Sequence, residues 1–221
     1  MDNTLSESFK ESLDESAVSI VAGLAEAGID SILDEGLLNK VPIVSTVFSL
    51  YKFGNGIRER YNLIKISRFL NEINSQIVDE EKRNSYIKII SDEPKKRSKE
   101  IEYLLILIDR YLEKEKPEML AKLYLAYLRG ELSWNTFSQY SVIIGEFLPG
   151  DYQAFCRVES SLMHPLEVPA PYLRLASLGL LVDSSEEDSV DDTSLILAGN
   201  RKRYLVTEFG NNLKKILNSC L

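Results

Sequence analysis

Between residues 94 and 144 the chain reads as consecutive helices. Three stretches in a row carry apolar side chains at three- and four-residue steps, and each is bounded by a residue that starts or stops a helix. Pro94 opens the first, and the stripe Ile101, Leu104, Leu105, Ile108 and Leu112 predicts a helix through Lys114. Pro117 opens the second and Gly130 ends it, the usual asymmetry of proline near the start and glycine just past the end. Ser133 is placed to cap the third, which carries Trp134, Phe137, Tyr140, Ile143 and Ile144. Connections this short leave neighbouring helices no choice but side-by-side, mostly antiparallel packing.

The front of the chain follows the same period. Phe9, Leu13, Val18, Ile20, Val21, Leu24, Ile29 and Ile32 predict a helix from Leu5 to Leu33, with small residues at Ala22, Gly23, Ala25, Ala27 and Gly28 and a bend near Gly28. Pro42 suits the first turn of a second, almost wholly apolar helix from Val41 to Phe53, which Gly54 to Gly56 interrupt. From Ile57 an amphipathic pattern sets Tyr61, Ile64, Phe69 and Ile73 against Arg58, Arg60, Lys65 and Arg68. Asp79 is placed to cap a shorter helix through Ile90. None of the apolar runs reaches the ~20 uninterrupted residues of a spanning helix.

With 221 residues, 44% of them apolar, the chain can bury about 70% of its unfolded surface and needs neither disulfide nor metal for a core. The two cysteines, Cys156 and Cys220, make no CxxC pair or disulfide framework. The polar opening MDNTLSESFKESLDES lacks the basic and apolar regions of a secretory leader, so the reading expects a reducing cytoplasm. A net charge of -8 opposes broad nucleic-acid binding.

The C-terminal end changes character. A helix from the PGD turn (Pro149 to Asp151) to about Leu162 gives way to HPLEVPAP, and PYLRLASLGLLV then predicts a short helix capped at Gly179 that runs into a strand. After the acidic stretch Asp183 to Asp192, two β-like runs, Ser194 to Ala198 and Arg203 to Thr207, predict a hairpin through the turn GNRK, followed by a last helix. The fold expected is therefore mainly α: a helical bundle over 1–148 and a small winged-helix-like module with a β-hairpin over 149–221.

The spacing of Tyr172, Leu175, Leu178, Gly179, Leu180, Tyr204, Leu205, Thr207, Gly210 and Leu213 resembles the end of bacterial winged-helix domains. It is also similar to the C-terminal part of helical bacterial proteins of the abortive-infection-alpha type, with Val206 where that pattern usually has leucine. The resemblance covers about the last fifty residues and implies a role in phage resistance.

Chemistry-bearing constellations are sparse. Aligning Gly130 with the glycine of a calcium loop puts Leu125, Tyr127 and Arg129 at the first ligand positions and Thr136 at the last, which fits no hard cation. His164, the single histidine, lies eight residues after Cys156, a pairing that any chain with one of each offers. Carboxylates such as Glu100, Glu102 and Asp109 read as a solvated helix face. The reading therefore expects no enzyme, no metal and no cofactor.

Two basic groups stand out instead: Lys95, Lys96, Arg97 and Lys99, which open a helix against its macrodipole, and the turn Arg201, Lys202 and Arg203. These are the expected contact residues for a protein partner. Two other functions compete. A membrane-damaging effector would release the apolar segments 17–33 and 41–53, with Val44, Val47, Phe48, Leu50 and Phe53 meeting lipid. A transcriptional regulator would lay the helix Pro171 to Leu178 in the major groove, although Arg174 is its only charged residue.

Overall fold

In the computed structural model the described residues are 4–13, 41–51, 57–77, 79–158, 162–163, 168–184 and 202–218. The chain divides into two compact units, Met1–Gly145 and Glu146–Leu221. Among the described residues there are ten helices and three short strands. No helix among them is long and apolar enough to cross a membrane.

The first unit is all helical. Helix α1 (Thr4–Glu11) buries Leu5 and Phe9 and is followed by a turn that buries Leu13; the rest of the expected Leu5 to Leu33 helix lies outside the described residues. Small hydroxyls fasten α1 to its neighbours. The Ser12 hydroxyl donates to the Ser8 carbonyl at 2.8 Å and accepts the Ile43 N–H at 2.9 Å. That satisfies one of the orphan donors at the start of α2 (Pro42–Tyr51) from outside the helix. The Ser8 and Thr46 hydroxyls meet at 2.6 Å.

Helix α2 is enclosed where it is described. Val41, Ile43, Val44 and Val47 are each 1% exposed or less, so Val44 and Val47 are interior side chains in this structure. Phe48 and Leu50 belong to the helix with side chains outside the described set, and Phe53 and segment 17–33 lie outside it altogether.

Helix α3 (Ile57–Gln76) packs along α5 (Pro94–Arg110) and α6 (Lys116–Leu128). Between α3 and α5 in the chain, α4 (Glu80–Asp92) starts as expected at Asp79, whose carboxylate accepts the Lys82 N–H at 2.7 Å. Helix α6 ends in a Schellman turn at Gly130, φ +77°, with Gly130 N–H on the Tyr127 carbonyl and Glu131 N–H on that of Ala126. Ser133 then accepts the Thr136 N–H at the start of α7 (Trp134–Glu146). Tyr124, fully buried, has the rings of Phe9, Phe69 and Phe137 at 6.0 to 6.5 Å around it. A small apolar void of about 10 Å³ lies beside this cluster, lined by Phe9, Ile43, Phe69, Leu70, Leu104 and Ile108 among others.

Helix α5 stops four residues earlier than the apolar stripe suggests. Tyr111 leaves the helix in an extended conformation, buries its ring and donates its hydroxyl to the Ser141 carbonyl at 2.8 Å. Leu112, expected on the buried stripe, is consequently 81% exposed.

The second unit starts with α8 (Asp151–Arg157), which is shorter than the expected helix to Leu162. Leu162 lies instead in β1 (Leu162–Met163). Helix α9 (Ala170–Ser177) ends in a second Schellman turn at Gly179, φ +74°, with Gly179 N–H on the Ala176 carbonyl and Leu180 N–H on that of Leu175. Strand β2 (Leu181–Asp183) follows at once. Strand β3 (Lys202–Val206) lies between β1 and β2 and is antiparallel to both, with Leu181 opposite Val206 and Leu162 opposite Arg203. The β3 partners are thus β2 and β1; the expected hairpin partner, 194–198, lies outside the described residues. Helix α10 (Glu208–Asn218) closes the unit; Leu213 and Leu217 on it are buried, as are Leu175, Leu180 and Tyr204.

Candidate functional site

The two basic groups singled out by sequence fare differently. In the first, α5 presents Lys95, Lys96 and Lys99 to solvent but turns Arg97 inward, where its side chain is 8% exposed. The turn of a helix explains this. Residues 97, 101, 104 and 108 share one face, so Arg97 extends the buried stripe and the three lysines do not. Lys96 is paired with Glu93 at 2.9 Å.

Arg97 instead belongs to a buried polar centre. Its Nη1 donates to Glu100 Oε2 at 2.6 Å, and the guanidinium lies 5.5 Å over the Tyr127 ring. Glu100 also accepts the hydroxyls of Tyr127 at 2.7 Å and Tyr124 at 3.3 Å. Glu100 is therefore not part of a solvated face: three donors meet its carboxylate inside the bundle. Burial and then the Glu100 charge push the Tyr124 phenol well above its ordinary range, so it stays a donor.

A second buried cation was read as surface. Lys65 is 1% exposed, and its Nζ donates to the carbonyls of Ile108, Asp109 and Tyr111 at 2.5, 3.1 and 2.8 Å. Three N–H donors meet three carbonyls at the negative end of α5, an arrangement that both caps the helix and complements its dipole. Arg58 and Asn62, on the same side of α3, bond the Asp109 carboxylate, and Tyr61 donates to the Leu112 carbonyl at 2.7 Å. Asp109 is thus engaged by α3 and not merely solvated.

In the second unit Asp151 is fully buried at the start of α8. Its carboxylate accepts the Leu148 N–H at 2.8 Å and both Nε and Nη2 of Arg174, at 3.0 and 2.5 Å. The bidentate contact fixes the one charged side chain of the helix that a DNA-reading role would use. Of the expected basic turn, Arg201 and the Lys202 side chain lie outside the described set, and Arg203 is exposed on β3.

Alternation along β3 sets Arg203 and Leu205 outward and Tyr204 inward, where Tyr204 meets the Tyr172 ring at 5.9 Å. Val182 on β2 stands opposite Leu205, and the two are 48% and 38% exposed. Sequence reading missed this apolar pair, although the period of two through 203, 204 and 205 carries its signal.

Cys156 is half-buried, and His164 lies outside the described residues. No group of three or more His, Cys, Asp or Glu side chains able to hold a metal occurs among the described residues. Family models, curated proteins and solved structures offer no match to this chain.

Proposed function

We propose that the protein works by docking to another protein, with a winged-helix-like second unit whose small sheet serves contact and not DNA reading. The observation that carries this is Arg174. A recognition helix must aim donors and acceptors at base edges, and the single charged side chain of α9 is committed to Asp151. The outward pair Val182 and Leu205 beside Arg203 supplies instead what an interface core and its rim need: desolvated aliphatic contact edged by a cation. The setting, on the resemblance of the C-terminal pattern alone, is bacterial phage defence.

The test compares the intact chain with a Val182→Asp/Leu205→Asp variant in the native host, recovering bound protein after cross-linking and recording the melting temperature. One defined partner lost from the variant at unchanged melting temperature supports the reading. Salt-sensitive retention of duplex DNA that disappears in Arg203→Glu favours a transcriptional regulator instead. Phage plating with and without the gene tests the setting separately.

A further inference from the structure

The exposed side of α5 is not uniform. Residues 95, 99, 102, 106 and 110 recur at three- and four-residue steps and form its outermost line, and all are exposed. On one side of that line lies Asp109, held by α3 through Arg58 and Asn62. On the other are Lys96 and Tyr103, and this side meets α7: the Tyr103 ring lies 5.6 Å from that of Trp134, and Tyr111 reaches Ser141 one face further in.

Two contacts in the same order, Tyr103 of α5 to Trp134 and Tyr111, just past the end of α5, to Ser141, mean that α5 and α7 run alongside in the same direction. Two cylindrical helices lying side by side leave a shallow furrow along their seam, and the exposure of Ile106 and Val142 places this groove at the surface. Its α5 side carries Lys99, Tyr103, Ile106 and Arg110; its α7 side carries Trp134, Ser138 and Val142, one turn apart. Ile106 and Val142 are 50% and 54% exposed, and Tyr103 and Trp134 are half-buried. Trp134 is packed against Phe137 at 4.9 Å and Tyr127 at 5.2 Å.

Tryptophan, tyrosine and arginine gathered around exposed aliphatics are the composition in which interface energy concentrates. The charge is as specific. On a chain of net charge -8, cations edge this groove at Lys96 and Lys99 toward one end and Arg110 toward the other. We infer that the groove between α5 and α7 receives an acidic amphipathic helix of a partner protein, its apolar stripe on Tyr103, Ile106, Trp134 and Val142 and its carboxylates toward Lys99 and Arg110. This rests on the protein-docking reading above and names the chemistry of the partner. Opposite charge at the rim selects the partner and speeds encounter, while the apolar floor supplies the affinity.

Trp134 is the chain's single tryptophan, so its emission reports on the groove directly. The probe is a synthetic tryptophan-free helical peptide with leucines at i, i+3, i+4 and i+7 and glutamates on its remaining face, titrated into the full chain. A second peptide keeps the leucines and replaces every glutamate with lysine. A saturable blue shift with the acidic peptide, weakened by about tenfold or more in Lys99→Glu/Arg110→Glu, supports the inference. Both substituted residues are exposed, and the variant's melting temperature checks that the fold is intact. No saturable shift with the acidic peptide, or equal binding of the lysine peptide, overturns it. Should the peptide fail while Val182→Asp/Leu205→Asp still loses its cellular partner, the groove falls and the docking reading stands.

Discussion

Gly210, on the first turns of α10, lies so close to the Leu180 carbonyl that a Cβ placed there would come within 2.4 Å of its oxygen. Thr207 makes that approach. Its N–H donates to the Leu180 carbonyl at 3.0 Å, its hydroxyl reaches the Gly179 carbonyl at 2.8 Å, and the same oxygen accepts the Gly210 N–H at 2.9 Å. One side chain thus caps α10 and ties it to the turn that ends α9. The Thr-x-x-Gly spacing noticed in the sequence has a physical reason: the cap draws the helix onto backbone where no side chain fits.

A helix-interior glycine usually gains about 1 kcal/mol on replacement by alanine. At Gly210 the sign reverses. Overpacking against backbone typically costs about 1 to 3 kcal/mol, so Gly210→Ala lowers stability, and chemical denaturation of the purified variant measures it. A gain in stability would mean that α10 does not lie against the Leu180 carbonyl.

The buried Arg97–Glu100 pair leads to a second expectation. The two side chains are 8% and 6% exposed, so removing one strands the other's charge. Arg97→Met and Glu100→Met each cost about 3 to 5 kcal/mol, whereas the double variant costs less than either alone. A double-mutant cycle by urea denaturation reads the coupling directly, and additivity would contradict the buried pairing.

How far the sequence disclosed this follows from the range of each interaction. Asp79, Gly130 and Gly179 mark helix ends through bonds within three to five positions, and Pro94 and Pro117 mark helix starts by lacking an N–H that the first turn would leave unpaired; each does so in the structure. Arg97, Glu100 and Lys65 were read as surface because a charge is normally solvated, and their burial depends on partners up to 46 residues distant. The signal was present in phase: Arg97 shares its face with Ile101 and Leu104, and Lys65 with Phe69. Leu112 failed in the opposite direction. It keeps the apolar period after Tyr111 has already turned out of α5, and periodicity cannot register where a backbone leaves its helix.

Lys65 gives the last expectation, a dependence on pH. Burial, opposed by the Asp109 charge and assisted by that of Arg58, lowers its pKa from 10.5 to about 8. Between these values the unfolded chain holds the proton and the folded chain sheds it, so this group's contribution to stability rises with pH from about 8 toward 10.5. Raised phenols such as Tyr124 and Tyr111 act oppositely, but only once free tyrosine ionises near pH 10. The self-repulsion of a chain of net charge -8 also grows with pH, and the comparison with Lys65→Met removes it. Lys65→Met leaves three carbonyls without their donor and is less stable at pH 7 by roughly 1 to 3 kcal/mol. From pH 8 to 10 the wild type gains relative to this variant, a difference that urea denaturation at each pH measures. A gap that stays constant across that interval would show that Lys65 keeps its proton, with the three carbonyls outweighing the cost of burial.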